Sequence, residues 1–160
     1  FEPARYEGFG PGGAAVIVDT LTDNLNRTVA EVRHCFTKTD SKLGVDGSVS
    51  YLYDHRSKVF VTAPDEDTVI ERLLEADIDV DDIVNDDDML VVIGDGYALN
   101  DIESALSEDA SITIVRSEKG WYPQNTIELE GEVLEQFRKF LDMINEVEDV
   151  QAVYHNVENI

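Results

Sequence analysis

Cysteine is almost absent: Cys35 stands alone in 160 residues, which excludes an internal disulfide framework and fits a reducing cytoplasm. No apolar run approaches the roughly 20 residues needed to span a bilayer, so no membrane partner is expected. The polar, glycine-rich opening has no signal-peptide pattern, and the start at Phe1 rather than Met leads us to expect a further N-terminal piece. Basic side chains are scarce, 12 Lys and Arg against 35 Asp and Glu, for a net charge of −23. The scarcity is uneven. Residues 1–58 hold seven basic and eight acidic side chains and are close to neutral, so almost all of the excess lies beyond them. A phosphate-binding surface needs clustered Lys and Arg. Residues 59–160 do not supply one, and any contact with nucleic acid falls to the first third or to a segment ahead of it.

Several chemical motifs are missing as well. The opening "FEPARYEGFGPGG" is rich in glycine, but a phosphate loop runs strand, glycines, helix, and ends in Gly-Lys-Ser/Thr. Here glycines precede the strand, so the stretch reads as a bent turn delivering the chain into residues 14–21. "VIGDGYALND" does have strand-glycine-helix order, but Asp95 between Gly94 and Gly96 opposes an anion and favours a turn. In "DIDVDDIVNDDD", Asp77, Asp79 and Asp81 match the first ligands of a calcium loop, but Asp82 replaces its glycine and Asp88 its closing Glu. That run reads as a solvated acidic edge. His34, Cys35, His55 and His155 have no zinc spacing, and no nucleophile elbow occurs. No catalytic residue, metal ligand or cofactor is therefore assigned, and the chain is not expected to be an enzyme.

What is present alternates between strand and helix. Residues 14–21 read as a strand and the helix after Asp23 or Asn24 runs to Lys38, with Val29, Val32, Cys35 and Phe36 inward. "SVSYLYD" (48–54) reads as the next strand. Residues 58–119 then read as strand, helix, an acidic connection in which Ile83-Val84 can pair, strand, helix and strand. "TIELE" (126–130), a helix from Glu132 to Asn145 and "VQAVYHNV" (150–157) finish the chain. The expected fold is α+β: two ferredoxin-like β-α-β-β-α-β sandwiches, the second inserted in the first. The divided domain takes residues 1–56 and 123–160, the acidic insert takes 57–122, and linkers fall near 54–57 and 120–124.

The first helix carries the one concentrated basic surface. Arg27, Glu31, His34 and Lys38 recur every three to four residues and share a face, with Arg33 off that stripe and Lys42 beyond. "YEGFGPGG", "LTDNLNRTVAEVRHCFTK", "LGVDGSVSYLY" and "DVQAVYHNV" together resemble the YebC family across most of the chain. "RYEGFGPGG" and "GSVSYLYD" are more similar to its YeeN-type branch.

The resemblance implies a cytoplasmic, non-enzymatic regulator of gene expression, built of a basic helical N-terminal domain and two α/β domains, one inserted in the other. The N-terminal domain lies outside this sequence. Family members are labelled probable DNA-binding transcriptional regulators, a mitochondrial relative activates translation, and the family is linked to ribosomes and the relief of stalled elongation. The implied partner is thus nucleic acid, DNA or ribosomal RNA, held mainly by the N-terminal domain, with the ribosome as a further partner. "KTDSKLG" departs from the family's K-x-G-G-N-L-G by placing Asp40 and Ser41 at the two glycines.

Within this chain the expected contact surface is Asn24, Asn26, Arg27, Thr28, Arg33, Lys38 and Lys42. Arginines would hold phosphate and asparagines polar edges. Gly8, Gly10, Gly12 and Gly13 form either a hinge to the N-terminal domain or a tip that approaches the backbone of the ligand. Two rival readings place function in a cleft between the α/β domains, as a small-ligand sensor or, more weakly, as a carboxylate enzyme.

Overall fold

The computed structural model describes all 160 residues. It is α+β, with two four-stranded antiparallel sheets and four helices, and fits two ferredoxin-like-type domains. The chain divides into two compact units, Phe1–Asp54 with Tyr122–Ile160, and His55–Trp121.

Unit 1 opens with β1 (Glu2–Phe9), which pairs antiparallel with β2 (Ala15–Thr22) along its whole length. The sequence reading missed this strand, because Pro3 and the glycines resemble a turn and its partner lies downstream. The turn proper is Gly10 to Gly13, where Pro11–Gly13 make one 3-10 turn and Gly12 and Gly13 take φ of 73° and 79°. "GFGPGG" therefore closes a hairpin inside the sheet, and the expected hinge to another domain is corrected.

Helix α1 (Leu25–Lys38) is capped by Asn24, whose side-chain oxygen accepts from the Arg27 N–H at 3.1 Å. It ends where the Thr39 hydroxyl donates to the Cys35 and Phe36 carbonyls and Asp40 enters the left-handed region at φ 56°. Asp tolerates that region better than most side chains, so the chain turns at Asp40 without the family's glycine. A two-residue strand, β3 (Lys42–Leu43), then pairs with the end of β1.

Residues 48–52 are not the strand expected of "SVSYLYD". The reason is Glu7, only 1% exposed, which faces away from the helices and accepts the N–H groups of Gly47, Val49 and Ser50 at 2.7–3.1 Å. N–H groups spent on a carboxylate cannot join a ladder. Strand β4 (Tyr53–Thr62) starts only after this segment, and the Tyr53 hydroxyl reaches back to donate to the Ala15 carbonyl at 2.6 Å. The expected linker at 54–57 is thus part of β4, and most of the second lies in β7 (Thr113–Pro123).

Unit 2 runs β4, α2 (Glu66–Glu75), β5 (Asp82–Asp86), β6 (Met89–Asp95), α3 (Leu99–Ser107), β7, with sheet order β5-β6-β4-β7. That order is the ferredoxin-like arrangement expected of β-α-β-β-α-β. The Ile83-Val84 pair does form a strand against β6. Asp65 caps α2 by accepting from the Thr68 N–H at 2.8 Å. The two glycines of "VIGDGY" are explained by packing: a Cβ on Gly94 would meet Ile102 at 2.8 Å, and one on Gly96 would strike the His55 ring, itself stacked on Trp121.

Unit 1 closes with α4 (Gly131–Asn145) and β8 (Val150–His155), giving sheet order β3-β1-β2-β8. "TIELE" forms no ladder. Ile127 makes one parallel bridge to Val157, and Leu129 is held at both its N–H and carbonyl by the Asn159 side chain. Each unit has its own core: Val16, Val18, Val32, Phe36, Phe137, Phe140 and Ile144 in unit 1, with Phe36 and Phe140 edge to face at 4.8 Å, and Val59, Val61, Val69, Leu73, Val92, Ile102 and Leu106 in unit 2.

Burial alone would raise the Glu7 carboxyl, but the backbone donors at Gly47, Ser50 and Val49 outweigh it and the group sits below its ordinary 4.5. Replacing it leaves buried N–H groups short of a charged acceptor. Glu7→Gln should cost about 1.5–3 kcal/mol in urea unfolding at neutral pH, and the loss should shrink as pH falls through the lowered native pKa. Equal stability of the two proteins at pH 7 would remove Glu7 from this role.

Candidate nucleic-acid interface

Helix α1 packs Thr28, Val32, Cys35 and Phe36 inward and presents Asn26, Arg27, Ala30, Arg33, His34, Thr37 and Lys38 to solvent. Fourteen residues make it about 21 Å long at 1.5 Å per residue. The β3 strand that follows adds exposed Lys42.

The expected contact residues separate into two groups. Arg33, Lys38 and Lys42 are exposed and enter no ion pair, and Asn26 is exposed beside them on the helix. Arg27 is committed elsewhere. Its guanidinium bonds Asp23 at 2.8 Å and both Asp149 oxygens at 3.0 Å, with Glu31 at 3.9 Å. Thr28 is fully buried, and its hydroxyl joins Asp149 at 2.7 Å and Thr22 at 2.6 Å. Asn24 spends its side-chain oxygen on the helix cap. These three shape the start of α1, and of them Thr28 is too buried to touch a ligand.

The glycines also divide. Gly8 and Gly10 are buried, and a Cβ on Gly8 would lie 2.8 Å from both the Phe36 ring and the Lys42 carbonyl. A side chain at Gly12 would press on Val133 at 2.7 Å and on Leu129. Gly8 and Gly12 are therefore required by packing. Gly12 and Gly13 are both exposed, and of the four only Gly13 has open space where its Cβ would be.

Sequence reasoning missed the residue that ties these groups together. Asp149, 7% exposed, lies in the turn between α4 and β8, 122 positions from Arg27. Its carbonyl accepts from the Leu21 N–H at 2.9 Å while its carboxylate takes Thr28 and Arg27. Both ends of β2 thereby meet fixed partners, since the Ala15 N–H donates to the Asn156 side chain at 2.9 Å. Nothing local marks Asp149 among many acidic residues; only its "EDVQAV" context, just before a strand, could have singled it out.

The Thr28 hydroxyl first, then the Arg27 guanidinium, hold the Asp149 carboxyl below its ordinary 3.8. Arg27 in turn is pushed above its ordinary range, chiefly by Asp149 and Asp23. A carboxylate with a depressed folded pKa contributes stability above its unfolded pKa and loses it as pH falls through the folded value. Asp149→Asn should therefore flatten the fall of melting temperature below about pH 4. Thr28→Val, nearly isosteric, should cost about 1–3 kcal/mol at pH 7 by removing the shortest donor to Asp149. A Thr28→Val protein as stable as the parent would show that Arg27 suffices alone.

The chain is thus a pair of α+β units, the first with three exposed cations, Arg33, Lys38 and Lys42, on α1 and β3. A family described as TACO1/YebC second and third domain matches residues 1–157, and the chain belongs to that family. It is 45% identical over 157 residues to a "probable transcriptional regulatory protein" of Alteromonas mediterranea, covering 98% of this chain and 65% of that protein. A protein of Marinomonas sp. with the same description is 47% identical over 160 residues, covering 99% and 67%. The crystal structure of a conserved hypothetical protein from Aquifex aeolicus is similar with a TM-score of 0.68 and 33% identity, covering 99% of this chain and 65% of that one. The chain thus spans about two-thirds of the length of these relatives.

Proposed function

We propose that this chain is part of a non-enzymatic regulator of gene expression that holds nucleic acid against the exposed side of α1 and β3. The observation that carries the reading is the set Arg33, Lys38 and Lys42, three exposed cations outside any ion pair, on one helix and the strand after it. In a chain of net charge −23, most cations would be expected to be spent on local carboxylates, as Arg27, Arg72 and Arg138 are. The names of the relatives, probable transcriptional regulatory proteins, favour the same partner class. The reading includes a cytoplasmic setting, where Cys35 remains a buried thiol.

Repulsion from the acidic remainder confines the approach of phosphate to the neighbourhood of these cations, which orients the ligand as well as weakening it. Two targets share the chemistry, duplex DNA at a promoter and ribosomal RNA on an assembled ribosome. Co-sedimentation with ribosomes across a salt series, with duplex DNA as competitor, separates them. Retention against DNA marks a translation factor, and ready displacement marks a DNA-binding regulator. In either case Arg33→Ala/Lys38→Ala/Lys42→Ala should lower the slope of log affinity against log salt by about 2–3, at roughly 0.7–0.9 per phosphate contact, with the melting temperature unchanged. An unaltered slope in that folded variant would overturn the reading. Arg27 is left intact in this test, because its loss would strip Asp149 of a partner.

A further inference from the structure

Within unit 1, the middle of α1 and the C-terminal end of α4 leave an open groove of about 410 Å³ between them. Its floor is apolar. Cys35 and Val147 are buried there, Met143 is half-buried, and exposed Ala30 is small enough to leave the space open. Its rim is acidic, with Glu31 on the α1 wall and Glu146 on the α4 wall. No Lys or Arg lines it, and Arg33, Lys38 and Lys42 take no part.

The negative charge on this rim is largely unmet. Glu146 is exposed, makes no ion pair and sits at the C-cap of α4. That helix has no basic residue in its last turn, although α1 ends on Lys38 and α2 carries Arg72 in the same position. The carbonyl end of a helix bears roughly half a negative charge, so Glu146 and the end of α4 add to one field. On the other wall Glu31 meets only Arg27, at 3.9 Å, and that guanidinium is already bonded to Asp23 and Asp149. Burial first, and then the Glu31 carboxylate, hold the Cys35 thiol above its ordinary value, which keeps the floor neutral. An apolar floor between two carboxylates repels phosphate and suits an apolar group flanked by cations.

The walls also decide the shape of the ligand. Both are helices, whose backbone groups bond within themselves, so the groove offers no ladder to an extended peptide. A helical ligand needs none, and the ridge of a third helix fills the groove between two others. Met143, unbranched and polarizable, adapts to the side chain that enters.

We propose that the α1–α4 groove docks a basic amphipathic helix of a partner protein, with a bulky apolar side chain seated on Cys35, Met143 and Val147 and Lys or Arg side chains over Glu31 and Glu146. The surface is separate from the cations assigned to nucleic acid, and the two stand or fall independently.

The test measures affinity of the whole 160-residue chain for a synthetic helical peptide of about 14 residues, Leu on one face and Lys on the other, and for the same peptide with Glu in place of Lys. The Lys peptide should bind one to one and the Glu peptide should not. Ala30→Trp, which fills the groove from an exposed position, should weaken binding roughly ten-fold or more. Glu146→Lys should weaken it roughly five-fold, while its melting temperature holds or rises because a cation suits the end of a helix. Asp86→Lys, the same charge change on exposed β5 of unit 2, should leave binding close to the parent and controls for diffuse attraction to an acidic chain. Equal weakening by Glu146→Lys and Asp86→Lys, or unchanged binding by a folded Ala30→Trp protein, would overturn the proposal. So would failure of the parent to bind the Lys peptide, or equal binding of the Glu peptide. A concentration-dependent dimer of the parent that Ala30→Trp splits would overturn it in favour of a second copy of this chain as the occupant.

Discussion

The carboxylate of Glu7 stands on the side of the first sheet away from the helices, out of water, with three backbone N–H groups closing on it. A charge so placed is tolerated only when its acceptor capacity is filled. The donors come from residues 47, 49 and 50, some forty positions away, so the demand of one side chain dictates the path of a whole loop. Ile17, directly opposite Glu7 in the strand pairing, is fully buried, as is Val49, and Tyr53 is pinned to Ala15. The far face of the sheet thus gains a cover made of a loop and one 3-10 turn, Ser50–Leu52. The start of β4, and the exposed positions of Val45 and Tyr51, follow from it.

A second buried carboxylate does the corresponding service at the other end of the sheet. Asp149 gathers Thr22, Thr28 and Arg27, and so joins the end of β2, the first turn of α1 and the turn before β8. An arginine suited to phosphate when read along the helix is instead the counterion of a nearly buried acid. The cations left for a ligand are those whose neighbours offer no such partner. In an acidic chain that distinction matters more than the number of basic residues, because a guanidinium already shared among carboxylates has little field to offer a phosphate.

The glycines teach a related point. "GFGPGG" and "GDG" each suggest a loop built to approach a ligand, yet Gly8, Gly12, Gly94 and Gly96 are each short of space for a Cβ because another side chain is already there. Their conformational freedom matters at Gly12 and Gly13, where positive φ lets the hairpin turn against Leu129 and Val133. Glycine density in a sequence thus reports close packing as readily as it reports a binding loop.

Local signals alone determined the helices and the α+β class. Apolar spacing and the caps at Asn24 and Asp65 act within a few residues, and a helix satisfies its own backbone. The strands of unit 2 were legible for a similar reason, since the apolar runs around Val59–Val61 and Val91–Val92 mark strands in a short β-α-β-β-α-β run. Tertiary structure decided what depends on distant partners. "SVSYLYD" has strand composition but gives its N–H groups to Glu7, "TIELE" finds only one bridge, and "EPARYEGF" becomes a strand because β2 lies beside it. The basic face was visible as a helical spacing, but its membership was not: Arg27 and Thr28 belong to Asp149, 122 and 121 residues away, while Arg33, Lys38 and Lys42 remain in water. Spacing along one helix fixes which side chains share a face, and only the folded chain fixes which of their charges are already met.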